Sequence, residues 1–315
     1  MRQVGEPLFS SHHTLRWTAQ FWVGPAPTRL NSPAGFAFND SLPHGKGLLM
    51  QILAPSFVRL LSTPTAKERK RILASMPGGP FTSKTTRPNR FLDLDTAIIS
   101  ATRWLPIDKE VTVHDMAASD GITSLELFNR LSHERPVRLT ASDYYDEICA
   151  ARKGIFWVFF DKDQVVLQVA LGAIALRSQR ANEFLARLLS PSVTKLTSVS
   201  LFHPDVMART KIDNCFVATR DNFFSPSPTQ YDVVRVMNAL GERNFPRVQI
   251  ERALRAVAKT VVDGGLLVLG RSADELDGGA QATIFQRREN MFGAVSDMRG
   301  GYELRDFVLE LQPDA

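Results

Sequence analysis

The sequence predicts an α/β fold built on a mostly parallel sheet, and three observations carry that prediction. Short apolar runs of strand type alternate with segments whose apolar residues recur every three to four positions. Near the middle, VTVHDMA, a tight turn, an amphipathic stretch and VRLTASDYY follow one another. Strand, turn, helix and strand in that order make a βαβ unit, for which a right-handed parallel crossover is the default. Finally, 315 residues that are 44% hydrophobic and 23% charged can bury a sizeable core as one large domain, or one domain plus a cap.

Taken in order, residues 1–90 are rich in Pro, Gly, Ser and His, with one amphipathic stretch from Leu48 to Leu73, and read as an N-terminal cap or arm. From Phe91 the texture changes. Leu94, Ile98, Ala101 and Leu105 recur at helical spacing until Pro106 stops the helix. Val111 to Ala117 reads as a buried strand, ASDG as a turn, and Ile122, Leu125, Phe128 and Leu131 as the apolar face of the next helix. A second strand ends on Asp143. Residues 154–170 read as a β-hairpin insertion turning at Asp161 to Asp163. A helix from about Ala173 to Leu189 follows, then short strands near Val199 to Phe202 and Cys215 to Thr219. Tyr231 to Leu240 is the next strand with its exit. Pro246 opens a helix that Gly264 and Gly265 are expected to end, and Leu266 to Gly270 is a central strand. Two late strands, Ala282 to Gln286 and Phe307 to Leu311, are expected on either side of a turn at Gly300 and Gly301.

Composition excludes several classes. Cys149 and Cys215 are far apart, without Cys-x-x-Cys or a neighbouring His set, which argues against a zinc module or a secreted disulfide scaffold and for a reducing cytoplasm. No apolar run is long enough to span a bilayer, and MRQVGEPLFSSHH has no apolar signal core. Net charge is +5, unevenly placed: between Val58 and Arg90 stand eight basic residues, Lys67, Arg69, Lys70 and Arg71 among them, against one acid, Glu68. Such a segment can attract an anionic partner, or simply be a solvated helix face.

Open parallel sheets bind ligands at the carboxyl ends of their strands, near the point where strand order reverses. The polar residues expected there are Asp115, Ser119, Asp120 and Gly121 after the first strand, Asp143 after the second, Asp221 and Asn222 after a later one, and Asn238 after YDVVRVM. Each has a plainer reading beside the functional one. A strand-end Asp is often a helix cap or turn former. His114, inside an apolar strand, reads as a core histidine, and His12, His13, His44 and His203 lack metal-ligand spacing, so no metal site is expected. Tyr144, Tyr145, Trp157 and Phe223 are core residues or stacking platforms.

The ordered set resembles the class I S-adenosylmethionine-dependent methyltransferases over roughly Phe91 to Leu311. Their acidic, glycine-rich loop D-x-G-x-G-x-G stands here as Asp115-Met116-Ala117-Ala118-Ser119-Asp120-Gly121. Asp143 matches the acid that binds the ribose hydroxyls, and Asp221 the acid or amide beside the adenine. YDVVRVMNAL and DGGLLVLGRS are locally similar to chemotaxis-receptor carboxyl methyltransferases, which also carry a small β insertion. The resemblance implies a three-layer, Rossmann-like, seven-stranded sheet with an antiparallel last strand over residues 91–315. It also implies S-adenosyl-L-methionine as cofactor, held by Asp115, Ala117, Ser119, Gly121, Asp143, Tyr144, Asp221, Asn222 and Asn238. The acceptor would be a small molecule or carried on a partner, and the basic segment between Val58 and Arg90 suggests that it is anionic. If a general base is needed, Glu242, His203 and Tyr144 are the candidates. Ala117 and Ser119 replace two of the family's glycines, although glycine alone takes φ > 0 readily.

Rival readings remain. A nicotinamide dehydrogenase should show G-x-G-x-x-G, and ASDGIT does not. A nucleic-acid methyltransferase should show an Asn-Pro-Pro-Tyr-type clamp where MNALGE stands. A protein methyltransferase and a non-catalytic binding or scaffold protein on the same fold stay open.

Overall fold

The computed structural model describes residues 53–62, 64–74, 86–106, 109–190, 196–273 and 279–313. The chain divides into two units, Met1–Lys46 and Gly47–Ala315, and every described residue falls in the second. The first half of the expected cap, His12, His13, His44 and Lys84 lie outside the described residues.

The described chain begins with β1 (Leu53–Pro55), a 3-10 turn at Phe57–Leu61 and α1 (Ala66–Ala74). There follow α2 (Leu92–Thr102), β2 (Val111–Met116), α3 (Ile122–Ser132), β3 (Val137–Ser142), β4 (Glu147–Lys153), β5 (Phe156–Phe160), β6 (Val166–Leu171) and β7 (Ile174–Leu176). Next come α4 (Gln179–Leu189), β8 (Thr197–Ser200), α5 (Pro204–Arg209) and β9 (Phe216–Thr219). The chain closes with β10 (Tyr231–Met237), α6 (Arg247–Ala258), β11 (Val261–Ser272), β12 (Ala280–Arg288), β13 (Met291–Met298) and α7 (Arg305–Leu309).

Seven strands make the main sheet, in the order β13-β12-β11-β10-β2-β3-β9. The five from β11 to β9 pair in parallel, while β12 runs antiparallel to both β11 and β13. Order reverses between β2 and β10: the chain steps outward through β3 and β9, then returns to the other side of β2. Alternation within the strands fills both faces. Val111, Val113, Leu139, Phe216, Val233 and Val268 pack with Leu94 and Ile98 of α2, Leu127 and Leu131 of α3 and Val206 of α5. The intervening Met116, Val234, Val236, Leu267 and Leu269 pack with Ile250, Leu254 and Val257 of α6 and Val308 of α7. The result is a three-layer α/β Rossmann-like fold, with the sheet buried on both sides as its near-continuous apolar strands require.

The second sheet is antiparallel, in the order β1-β7-β6-β5-β4-β8. Its core joins Ile148, Phe159 and Ala170 to Phe57, Leu60, Ile72 and Leu73, so residues 53–74 and the insertion share one apolar cluster. Buried Gln168 ties them further, accepting from the Phe57 amide at 2.8 Å and donating to the Pro55 carbonyl at 3.1 Å.

Several expectations are corrected. The hairpin at residues 154–170 exists as β5 and β6, but inside a six-stranded sheet rather than alone. The helix expected from Ala173 begins only at Gln179, because Ile174–Leu176 pairs with β6 and Ser178 caps the helix, accepting from the Ala181 amide. Gly264 and Gly265 do not end α6; they lie within β11, where the register against β10 jumps between Tyr231 and Val233. The antiparallel member of the sheet is β12, and β13 is Met291–Met298. Phe307 to Leu311, read as a strand, belongs largely to α7, since five alternating residues cannot separate strand from helix.

Candidate functional site

The acidic residue that opens the turn sequence is engaged inside the protein. Asp115 is 2% exposed and faces Arg235 in register on β10. Arg235 donates to it through Nε at 2.9 Å and Nη2 at 2.5 Å, and through Nη1 to Asp95 of α2 at 3.0 Å. Ser124 of α3 donates its hydroxyl to the same Asp115 Oδ2. Burial alone would lower the Arg235 pKa, but Asp115 and Asp95 outweigh it and hold the guanidinium above its ordinary value. Burial pushes Asp95 up to about 6 against the pull of Arg235 and Arg130. Both oxygens of Asp115, expected to lie at the cofactor, accept hydrogen bonds within the core. Arg235 and Asp95 were not anticipated, although an arginine inside YDVVRVM and an aspartate beside Leu94 on an apolar helix face are signals of a buried pair.

The turn after β2 keeps the conformation of glycine without most of its glycines. Ala117, Ser119 and Gly121 have φ of 54°, 60° and 76°. Ser119 donates its amide to Asp143 Oδ2 at 2.8 Å, Tyr145 donates to Asp143 Oδ1 at 3.0 Å, and the Ala118 amide reaches the Ser142 carbonyl at 2.9 Å. The carboxylate ending β3 thus holds the loop that follows β2. On its outer side the loop is covered. Asp120 accepts from the Thr86 amide at 3.1 Å, its carbonyl accepts from the His203 amide at 2.7 Å, and a Cβ at Gly121 would stand 3.1 Å from Phe202 and 3.2 Å from Val206. Arg69 of α1, 8% exposed, donates to the Ser200 and Phe202 carbonyls at 2.8 and 3.0 Å, so it braces this cover and is not part of a solvated basic face.

Beside Asp143 stand Asp221 and Asn222. The Asp221 amide reaches the Asp143 carbonyl at 3.4 Å, its Oδ1 accepts from the Asn222 amide at 2.7 Å, and its Oδ2 lies 3.5 Å from Nε2 of His114. Asn222 accepts from the Phe224 amide at 3.0 Å. His114 is buried, meets Ser142 Oγ at 2.8 Å, and has its pKa lowered by burial against the pull of Asp221 and Asp115, as suits a neutral core imidazole. Tyr144 donates its hydroxyl to Asp163 at 2.7 Å, which raises its pKa, and carries the Arg220 guanidinium 4.5 Å from its ring centroid. Trp157 lies in the second sheet, stacked on Phe159, and Phe223 packs against Phe224 and Phe245.

Asn238 stands apart from this group. At φ 60° after β10, it donates its amide to the Gly270 carbonyl at 2.9 Å and accepts from the Ser272 amide at 2.7 Å. It lines a cavity of about 630 Å³ at the carboxyl ends of β10 and β11, with Arg87, Arg90, Arg243, Arg271 and Glu303. None of the other cofactor candidates lines it. Among the base candidates, His203 caps α5 through Nδ1. Glu242 is exposed, with its amide on Glu303 at 2.8 Å. Among the described residues no group of three His, Cys, Asp or Glu is placed to hold a metal, and no helix is long and apolar enough to cross a membrane.

No protein-family model matches the chain, and no curated protein sequence matches it. Solved structures do. One is the CMeT domain of the citrinin polyketide synthase, at 12% identity and a TM-score of 0.31, covering 56% of this chain and 33% of that one. Another is SAM-bound CalS10, an amino pentose methyltransferase from Micromonospora echinaspora, at 11% identity and a TM-score of 0.29, covering 64% of each chain. LepI in complex with SAM is similar at 12% identity and a TM-score of 0.34, covering 71% of this chain and 40% of that one. The chain therefore spans about a third of the first of these structures and less than two thirds of the others. It resembles solved methyltransferase structures at low identity, and its own strand order, reversing between β2 and β10, places it in the Rossmann-like α/β class.

Proposed function

We propose that the protein is an S-adenosylmethionine-dependent methyltransferase that moves a methyl group to an oxygen or nitrogen of a small-molecule or carrier-borne anionic acceptor. The observation that carries this reading is the turn after β2, with positive φ at Ala117, Ser119 and Gly121 and the Ser119 amide on Asp143. Small residues there allow backbone to approach a ligand at the switch point of the sheet. Asp143, which accepts from the Ser119 and Tyr145 amides at the end of β3, stands where the ribose-binding acid is expected. Asp221 and Asn222, one strand further, suit the adenine end. When bound, the cofactor supplies an electrophilic methyl on a positively charged sulfur. The chain's task is to hold donor and acceptor close and aligned, which requires no fixed base.

A second reading is favoured by specific observations. Asp115 is buried against Arg235, and Thr86, Phe202 and Val206 cover the turn. These support a non-catalytic binding or scaffold protein on the same fold.

Titration calorimetry with S-adenosylhomocysteine separates the two. Under the enzyme reading the wild type binds, and Asp143→Ala, still folded by circular dichroism, binds at least tenfold more weakly, since hydrogen bonds to charged groups are worth about 1.5–3 kcal/mol. Unchanged affinity in the variant removes Asp143 from the site, and no binding by the wild type leaves the scaffold reading.

A further inference from the structure

The cavity beyond β10 differs in chemistry from the turn after β2. Its described lining carries four arginines, Arg87, Arg90, Arg243 and Arg271, against one carboxylate, Glu303. Arg87 and Arg90 come from the segment before α2, Arg243 from the β10–α6 connection and Arg271 from β11, so three distant parts of the sequence bring guanidinium groups to one space. Arg271 is oriented by Gln281, which accepts from its Nε at 3.0 Å. Arg87 and Arg243 are exposed. Glu303 accepts from the Glu242 amide at 2.8 Å. Asp274, Glu275 and Asp277, which follow Ala273 in sequence, lie outside the described residues.

Bare backbone shapes part of the wall. A Cβ at Gly270 would stand 2.4 Å from the Gln281 carbonyl oxygen, and one at Gly301, with φ 78°, would stand 2.9 Å from both Asp297 Oδ1 and Thr283 Oγ1. Asn238 is held at φ 60° by its bond to Ser272. Glycine at these points keeps side chains out of the packed strands, and the charged groups of the described lining are the four arginines and Glu303.

We propose that this cavity binds a phosphate-bearing small molecule which, on the methyltransferase reading above, is the methyl acceptor. A volume of about 630 Å³ suits a compact organic ligand. In the described lining, four guanidinium groups against one carboxylate exceed what a single carboxylate ligand needs. The planar fork of arginine matches phosphate oxygens in pairs, whereas the described lining contains no lysine to act as a point charge. The site meets the expected cofactor set only at Asn238, so donor and acceptor would approach from adjacent strand ends.

The test uses the full chain and inorganic pyrophosphate as probe, titrated at low salt into wild type and into the Arg87→Gln/Arg243→Gln double variant, with S-adenosylhomocysteine and citrate titrated in parallel. Pyrophosphate is expected to bind the wild type at least tenfold more tightly than the double variant. The variant should keep the wild-type melting temperature, and the Arg243→Lys single variant should lose part of the affinity. No pyrophosphate binding, equal affinity in both proteins, or citrate bound as tightly as pyrophosphate overturns the phosphate site. Pyrophosphate binding that the double variant loses, in a protein that does not bind S-adenosylhomocysteine, upholds the phosphate site and removes only its role as acceptor site.

Discussion

Arg235 occupies the middle of an apolar strand with 1% of its surface exposed, a position that costs far too much for a lone cation. Two carboxylates, Asp115 and Asp95, make it tenable, but for Asp95 burial outweighs the pull of Arg235 and Arg130 and raises its pKa to about 6. This has a pH consequence with a definite sign. The folded-state pKa exceeds the ordinary 3.8, so the folded protein binds that proton better. The resulting stability is fully present below pH 4 and is lost as pH rises through 6. Urea unfolding of wild type and Asp95→Asn between pH 4 and 7 should therefore show the variant gaining on the wild type by roughly 2–3 kcal/mol as pH rises, each pKa unit being worth about 1.4 kcal/mol. A constant difference across that range would mean that Asp95 is ionised throughout.

At the scale of elements, β11 shows how backbone contact decides local structure. Gly270 pairs with Ala282 on β12 and Met237 on β10, and any side chain there would meet the Gln281 carbonyl and the Ala282 Cβ at 2.4 and 2.5 Å. Gly270→Ala should force the two strands apart and cost more than the ~1–3 kcal/mol of ordinary overpacking, measured as a fall in the urea midpoint. Gly265, in the same strand, plays a related part: its Cβ would stand 2.9 and 3.0 Å from the Val262 and Asp232 carbonyl oxygens. That close approach explains why the Gly264-Gly265 pair belongs to an irregular strand start instead of a helix end. Read as punctuation, two glycines after an amphipathic segment look the same in both roles.

Across the whole described molecule, the two sheets are joined through the segment that covers the turn after β2. Arg69 grips the carbonyls of Ser200 and Phe202, Phe202 and Val206 pack over Gly121, and Phe57 packs edge-on to Phe159 at 5.4 Å. Residues 53–74 are therefore integral to the second sheet. Phe57→Ala should cost about 3–5 kcal/mol, the range for a buried aromatic truncated to alanine. The check is the thermal or urea midpoint; a loss below about 0.5 kcal/mol, typical of surface substitutions, would mark this segment as an appended arm.

Much of the main sheet was determined by the sequence alone. Strands β2, β3, β10 and β11 and helices α2, α3 and α6 are legible because each buries a face large enough to impose its own period, two in strands and 3.6 in helices. The positions of Asp143, Asp221 and Asn238 at strand ends follow from the same boundaries. What tertiary structure alone decided is which of these groups meet. Asp115 and Asp143 look alike in sequence, yet one faces Arg235 across the sheet and the other the Ser119 amide, because register places them so. β13 was missed because MFGAVSDM, at the sheet's edge, is only partly buried, and β4 and β7 because short antiparallel strands take their identity from partners far along the chain; β8, expected near Val199 to Phe202, lies two residues earlier, at Thr197–Ser200. The arginine-lined cavity is the extreme case: Arg87, Arg243 and Arg271 share no local pattern, and only folding brings them around one space.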